Sequence, residues 1–129
     1  MGQMTVGLLY GCELPKFPKS MGDEPVSDLI WRWEKASKIK PTSNGPRIRH
    51  EWEGGRDLIG VWVAIGGSGK DDAPCFLENA VLLSDLFGLF SNRVSQAQKL
   101  WDRFAAYVAE HERISFPLPR LWLTPAEVA

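Results

Sequence analysis

The chain has 129 residues, 44% of them hydrophobic and 24% charged, with a formal net charge of −1. That suffices for one domain that buries roughly two-thirds of its unfolded surface in a single core, with no metal or disulfide framework to hold it. The composition excludes a helical membrane span, because the longest apolar run, Leu58 to Gly67, is ten residues counting glycines, about half of the roughly 20 a bilayer demands.

The N-terminus reads as untargeted. Val6 stands where myristoylation after Met1-Gly2 wants Ser or Thr, and no Lys or Arg precedes Lys16, so Cys12 does not close a lipoprotein signal. The expectation is a soluble, cytoplasmic protein. Cys12 and Cys75 lie far apart without a Cys-x-x-Cys, which reads as two buried, reduced thiols. Residues 1–50 carry 8 basic against 5 acidic side chains and residues 51–129 carry 7 against 11. Arg32, Lys35, Lys38, Lys40, Arg47 and Arg49 supply most of that basic excess, so one basic face on an otherwise acidic molecule is expected.

Thr5 to Cys12 alternates as a first strand, with Val6, Leu8, Tyr10 and Cys12 on one face and Gly7, Leu9 and Gly11 on the other. Glycine in a strand interior implies a close approach by another group. Pro15, Pro18, Gly22 and Pro25 then break regular structure into a long loop. With Ser27 as N-cap, the spacing of Val26, Leu29, Ile30, Trp33, Ala36 and Ile39 predicts a helix over 28–39 and leaves Trp31 on its opposite face. A strand over the same residues would instead put Trp31 and Trp33 together. Pro41 to Pro46 is a turn-rich connector.

Arg47 to Glu53 alternates as a half-exposed strand, with Ile48, His50 and Trp52 inward and Arg47, Arg49, Glu51 and Glu53 outward. Gly54 to Asp57 supplies the turn of a hairpin into the apolar strand 58–66. Asp72 and Pro74 then open a helix through Phe76, Leu77, Ala80, Val81, Leu83, Leu86, Phe87 and Phe90, apolar nearly all round and so expected to be the most buried one. A second helix, capped by Ser91 or Asn92, follows to Arg113 with Val94, Ala97, Trp101, Phe104 and Val108 as its seam. Phe116 to Pro119 stops it, and Arg120 to Leu123 is a short strand before Thr124-Pro125. The reading is a single α+β domain over 1–129, an antiparallel sheet with helices mainly on one face, in an order that resembles the ferredoxin-like βαββαβ arrangement.

The segment Gly66-Gly67-Ser68-Gly69-Lys70-Asp71 after an apolar strand invites a phosphate-loop reading, but the details refuse it. Ala64 replaces the first glycine, Asp71 replaces the hydroxyl that would hold magnesium, and Pro74 interrupts the helix that should follow. His50-Glu51-Trp52 with Pro74-Cys75-Phe76-Leu77-Glu78 lacks both the glutamate and the second cysteine of a zinc deaminase. Neither His50 nor His111 faces the acids next to it in sequence, since adjacent residues on a strand or helix point apart. His50 reads as a polar contact or packed ring on the inner sheet face, and His111 as a group set to interact with a helix C-terminus. Gly66-Gly67-Ser68-Gly69-Lys70 is not a nucleophile elbow.

Six tryptophans remain to be placed, and Trp33, Trp62 and Trp101 fit apolar stripes. Trp31 does not; beside Arg32 and Lys35 it has the composition of an interface hot spot. The residues therefore favour a small non-catalytic protein that binds another protein and occludes its surface, in the manner of immunity proteins or phage-encoded inhibitors. Its binding residues would be Trp31, Arg32, Lys35, Arg47 and Arg49, with no cofactor, no metal and no membrane partner. Two alternatives stand beside it: a nucleic-acid module using the basic and aromatic residues of 31–49, and a small-ligand or nucleotide binder using Gly67, Gly69 and Lys70 in the 66–72 loop.

Overall fold

Alternation along Gln3–Glu13 builds β1, the strand on which the rest of the sheet is assembled. The computed structural model describes residues 3–17, 25–39, 46–53, 55–67 and 83–128. Within them follow helix α1 (Pro25–Ser37), strands β2 (Arg47–Glu53) and β3 (Arg56–Gly67), helix α2 (Leu83–His111) and strand β4 (Arg120–Val128). The strands form one sheet in the order β2-β3-β1-β4, every neighbour antiparallel. The molecule is thus an α+β fold with two described helices.

The registers sort the side chains into two apolar groups. Tyr10 and Cys12 of β1 with Ile59, Val61 and Val63 of β3 and Ile48 of β2 meet Val26, Leu29 and Trp33 of α1 and Ala97, Trp101, Phe104 and Val108 of α2. Aromatic edges organise this core: Trp33 meets Phe104 edge-on at 5.6 Å, and Phe104 stacks on Phe116 at 5.6 Å. The other face carries a smaller buried group, Leu9, Leu58 and Trp62, with Trp122 packed against it. The β1 glycines explain how that second group closes. A Cβ on Gly7 would lie 2.2 Å from the Trp62 indole nitrogen, so the ring lies flat across β1 and its Nε1 donates to Thr124 Oγ1 on β4 at 3.1 Å. Gly11 faces Gly60 across the β1–β3 ladder with equally little room, and its carbonyl accepts from Trp122 Nε1 at 3.2 Å.

Several elements differ from what periodicity predicts. α1 begins at Pro25, whose fixed φ suits a first helical residue, so Ser27 lies inside the helix rather than capping it. It ends when Lys38 takes φ 60°, with Ser37 Oγ bonded to the Glu34 carbonyl and accepting from the Ile39 amide. The helix places Trp31 and Trp33 on different sides, which removes the strand alternative. The hairpin forms as read, but the turn is tighter, because β3 starts at Arg56, opposite Glu53, and Gly55 supplies a φ of 78°. α2 runs unbroken through Ser91 and Asn92, so no new helix starts there; it stops at His111, two residues before Arg113 with φ 56°. Of the residues up to Phe90 expected to form the most buried helix, Phe76 to Val81 lie outside the described residues, and at the described end Phe87 is 62% exposed, while the sheet-facing seam lies further on, at Ala97 to Val108. An apolar circumference does not choose a face; among the described side chains of α2, the buried ones lie where it crosses the sheet. β4 continues through Pro125, which a strand paired only with β1 tolerates.

Candidate functional site

β2 is an edge strand, and α1 lies alongside it. Between them runs an open groove of about 380 Å³ lined by Ser27, Ile30, Trp31 and Glu34 from the helix and by Arg47, Ile48, Arg49 and His50 from the strand. Trp31 is 56% exposed here because it sits on the helix face opposite Leu29 and Trp33, which the sheet buries. One turn along, Lys35 Nζ lies 3.9 Å from the centre of the Trp31 ring and holds it as a wall.

Three of the sequence-predicted residues, Trp31, Arg47 and Arg49, border one groove, with Lys35 against the first of them, but the register projects Arg47 and Arg49 from the sheet face away from α1, the face of Trp62. It takes Arg32 elsewhere. Its guanidinium lies 2.8 Å from Glu112 at the end of α2, tying the two helices together. Arg49 is also partly committed: its Nε lies 2.7 Å from Glu51 Oε1, an ion pair along the strand rather than an aligned hydrogen bond, and its guanidinium sits 4.8 Å over the Trp62 ring. Arg47 differs from both. Its Nε is buried without a hydrogen-bond partner, and among the described residues no carboxylate pairs with it.

His50 and Trp52 share the helix side of β2 with Ile48, as the alternation implies, but neither is inside. The helix layer covers β2 only as far as Ile48; His50 pairs with Asp57 at the surface and Trp52 is 69% exposed. Sequence reasoning assigned Trp52 to the wrong environment because alternation gives a face, not how far the cover extends. His111 ends α2 with its ring 4.5 Å from Tyr107. Of the glycine loop, Gly67 is the last residue of β3, opposite Thr5, whereas Gly69 and Lys70 lie outside the described residues, as do Cys75 and the rest of the 71–82 segment.

A second concavity of about 390 Å³ opens at the far end of β1 and β4, lined by Cys12, Glu13, Pro117, Leu118, Arg120 and Trp122. Arg56 braces one side, 3.1 Å from Glu13 and 5.4 Å over the Trp122 ring. Burial, helped by the neighbouring Glu13 charge, pushes the Cys12 thiol up from 9.0 to about 11, so it stays protonated at neutral pH. Among the described residues no group of three or more His, Cys, Asp or Glu is placed to hold a metal ion, and no helix is long and apolar enough to cross a membrane. No protein-family model, curated protein or solved structure matches this chain.

Proposed function

We propose that this chain is a small binding protein that occludes the surface of another protein, and that the α1/β2 groove is its contact site. The observation that carries the reading is Trp31: a large aromatic left exposed and braced by Lys35 in a concave surface that borders the strand carrying Arg47 and Arg49. Aromatic and arginine anchors in pockets supply most of the energy of protein interfaces. The nucleic-acid alternative is weaker. Arg32 and Arg49 are engaged with Glu112 and Glu51, which leaves a thin basic platform on a chain of net charge −1.

The strand order β2-β3-β1-β4 in a βαββαβ succession supports the ferredoxin-like reading of the topology, since each helix joins two strands separated by one antiparallel neighbour. That arrangement hosts many unrelated activities, so it contributes nothing to the choice of partner. The test is affinity capture from the native host with wild-type and Trp31→Ala baits, beside titration with mixed oligonucleotides at low salt. A partner protein retained by the wild type and lost with Trp31→Ala supports the reading. Salt-sensitive oligonucleotide binding, or a partner indifferent to Trp31, overturns it.

A further inference from the structure

We infer that the groove takes an extended acidic segment of its partner by strand addition to the free edge of β2, a mode that rests on the proposed binding role of the same site. Three observations converge on it. No strand pairs with the outer edge of β2 among the described residues, so its seven residues present unpaired backbone groups over about 23 Å. The opposite edge of the sheet is β4, where Pro125 removes a backbone donor mid-strand. Of the two edges, β2 is the one without a proline.

The groove then fixes what the added strand would carry. Side chains alternate along a strand, so every second residue of an added segment would point to the helix side, against Ile30 and the Trp31 ring, and the rest would point to the opposite face, where Arg47 and Arg49 precede Glu51. Apolar residues suit the first set. Carboxylates suit the second, because among the described residues no carboxylate pairs with Arg47, whose Nε is buried without a partner there, and Arg49 shares a single glutamate. The fitting segment is therefore an extended apolar and acidic alternation of up to about seven residues, with its carboxylates set where it passes Arg47 and Arg49 rather than Glu51. Backbone pairing supplies affinity and the two rows of side chains supply selectivity.

The experiment uses the full chain and four capped, fluorescein-labelled heptapeptides: alternating Glu and Val, its Lys and Val counterpart, the acidic peptide N-methylated at two adjacent central residues so that both its edges are blocked, and a scrambled acidic peptide. Anisotropy titration should give saturable binding of the alternating acidic peptide, weakened about ten-fold or more by Trp31→Ala, Arg47→Glu, the lysine peptide, scrambling or N-methylation. Amide exchange in β2 should slow on binding while exchange in β4 does not change. Circular dichroism and melting of each variant show that loss of binding is not loss of fold. Equal binding of the N-methylated peptide, slowed exchange in β4 instead of β2, or concentration-dependent dimerisation with protection of β2 would each overturn strand addition of a partner segment. So would absence of saturable binding up to about 1 mM. A folded partner captured through Trp31 that leaves β2 exchange unchanged would overturn this mode and leave the binding role standing.

Discussion

Gly7 and Gly11 are where single atoms decide whether the sheet can form. An alanine at Gly11 would place its Cβ 2.0 Å from the Ile59 carbonyl oxygen, and backbone cannot swing aside as a flexible side-chain end can. At Gly7 the obstacle is the Trp62 indole, fixed by its hydrogen bond to Thr124. Gly11→Ala and Gly7→Ala are each expected to lower unfolding free energy by about 3 kcal/mol or more. Gly55→Ala meets no atom within 4 Å and is strained only through its φ of 78°, so it should cost about 1 kcal/mol. Urea titration of the three variants checks the ranking; a Gly11→Ala protein as stable as Gly55→Ala would contradict the close approach. Cys12 makes a separate prediction. Its thiol is held up at about 11 in the fold against 9.0, so between those values the unfolded chain releases a proton that the native one keeps, and stability falls as pH rises. In a Cys75→Ala background, Cys12→Ala should flatten the decline of melting temperature across that window, and the native Cys12 thiol should resist alkylation at neutral pH until the chain unfolds.

At the scale of elements, α1 shows one helix serving two purposes with residues two positions apart. Trp33 is buried among Phe104, Tyr107 and the sheet, whereas Trp31 faces the groove. Trp33→Ala should cost about 3–5 kcal/mol of stability. Trp31→Ala should change stability by no more than about 1 kcal/mol, the contribution of its contact with Lys35, and weaken partner binding by roughly 1–4 kcal/mol. Thermal melts of the two variants separate these roles, and equal destabilisation would return Trp31 to the core. The helical period was legible because Val26, Leu29 and Trp33 fall on one side and Trp31 on the other. The long-range ion pair that occupies Arg32 was not legible, because Glu112 lies 80 positions away and only the docking of α2 beside α1 brings it near.

For the whole molecule, the central strands β1 and β3 contribute to both apolar groups, one on each face of the sheet. Loss of either group therefore removes support from the strands that hold the other. Phe104→Ala on the helix side and Trp62→Ala on the opposite side should each cost about 3–5 kcal/mol and still unfold in one transition, with tryptophan fluorescence and far-ultraviolet dichroism coincident. Separate transitions would show that the two faces unfold independently.

What is local and periodic was legible in the residues alone: which residues of β1, β2 and β3 share a face, the β2–β3 hairpin, the seam of α2 from Ala97 to Val108, and the oddness of Trp31 on its helix. Those follow from the repeat of side chains along a strand or helix, a property of the chain alone. How far each face is covered came from the packing of distant elements. It left His50, Trp52 and Phe87 outside, laid Trp62 across Gly7, and set α1 beside the unpaired edge of β2 to make a groove. Cover depends on where a partner element, distant in sequence, begins and ends, and no repeat along the chain records that length.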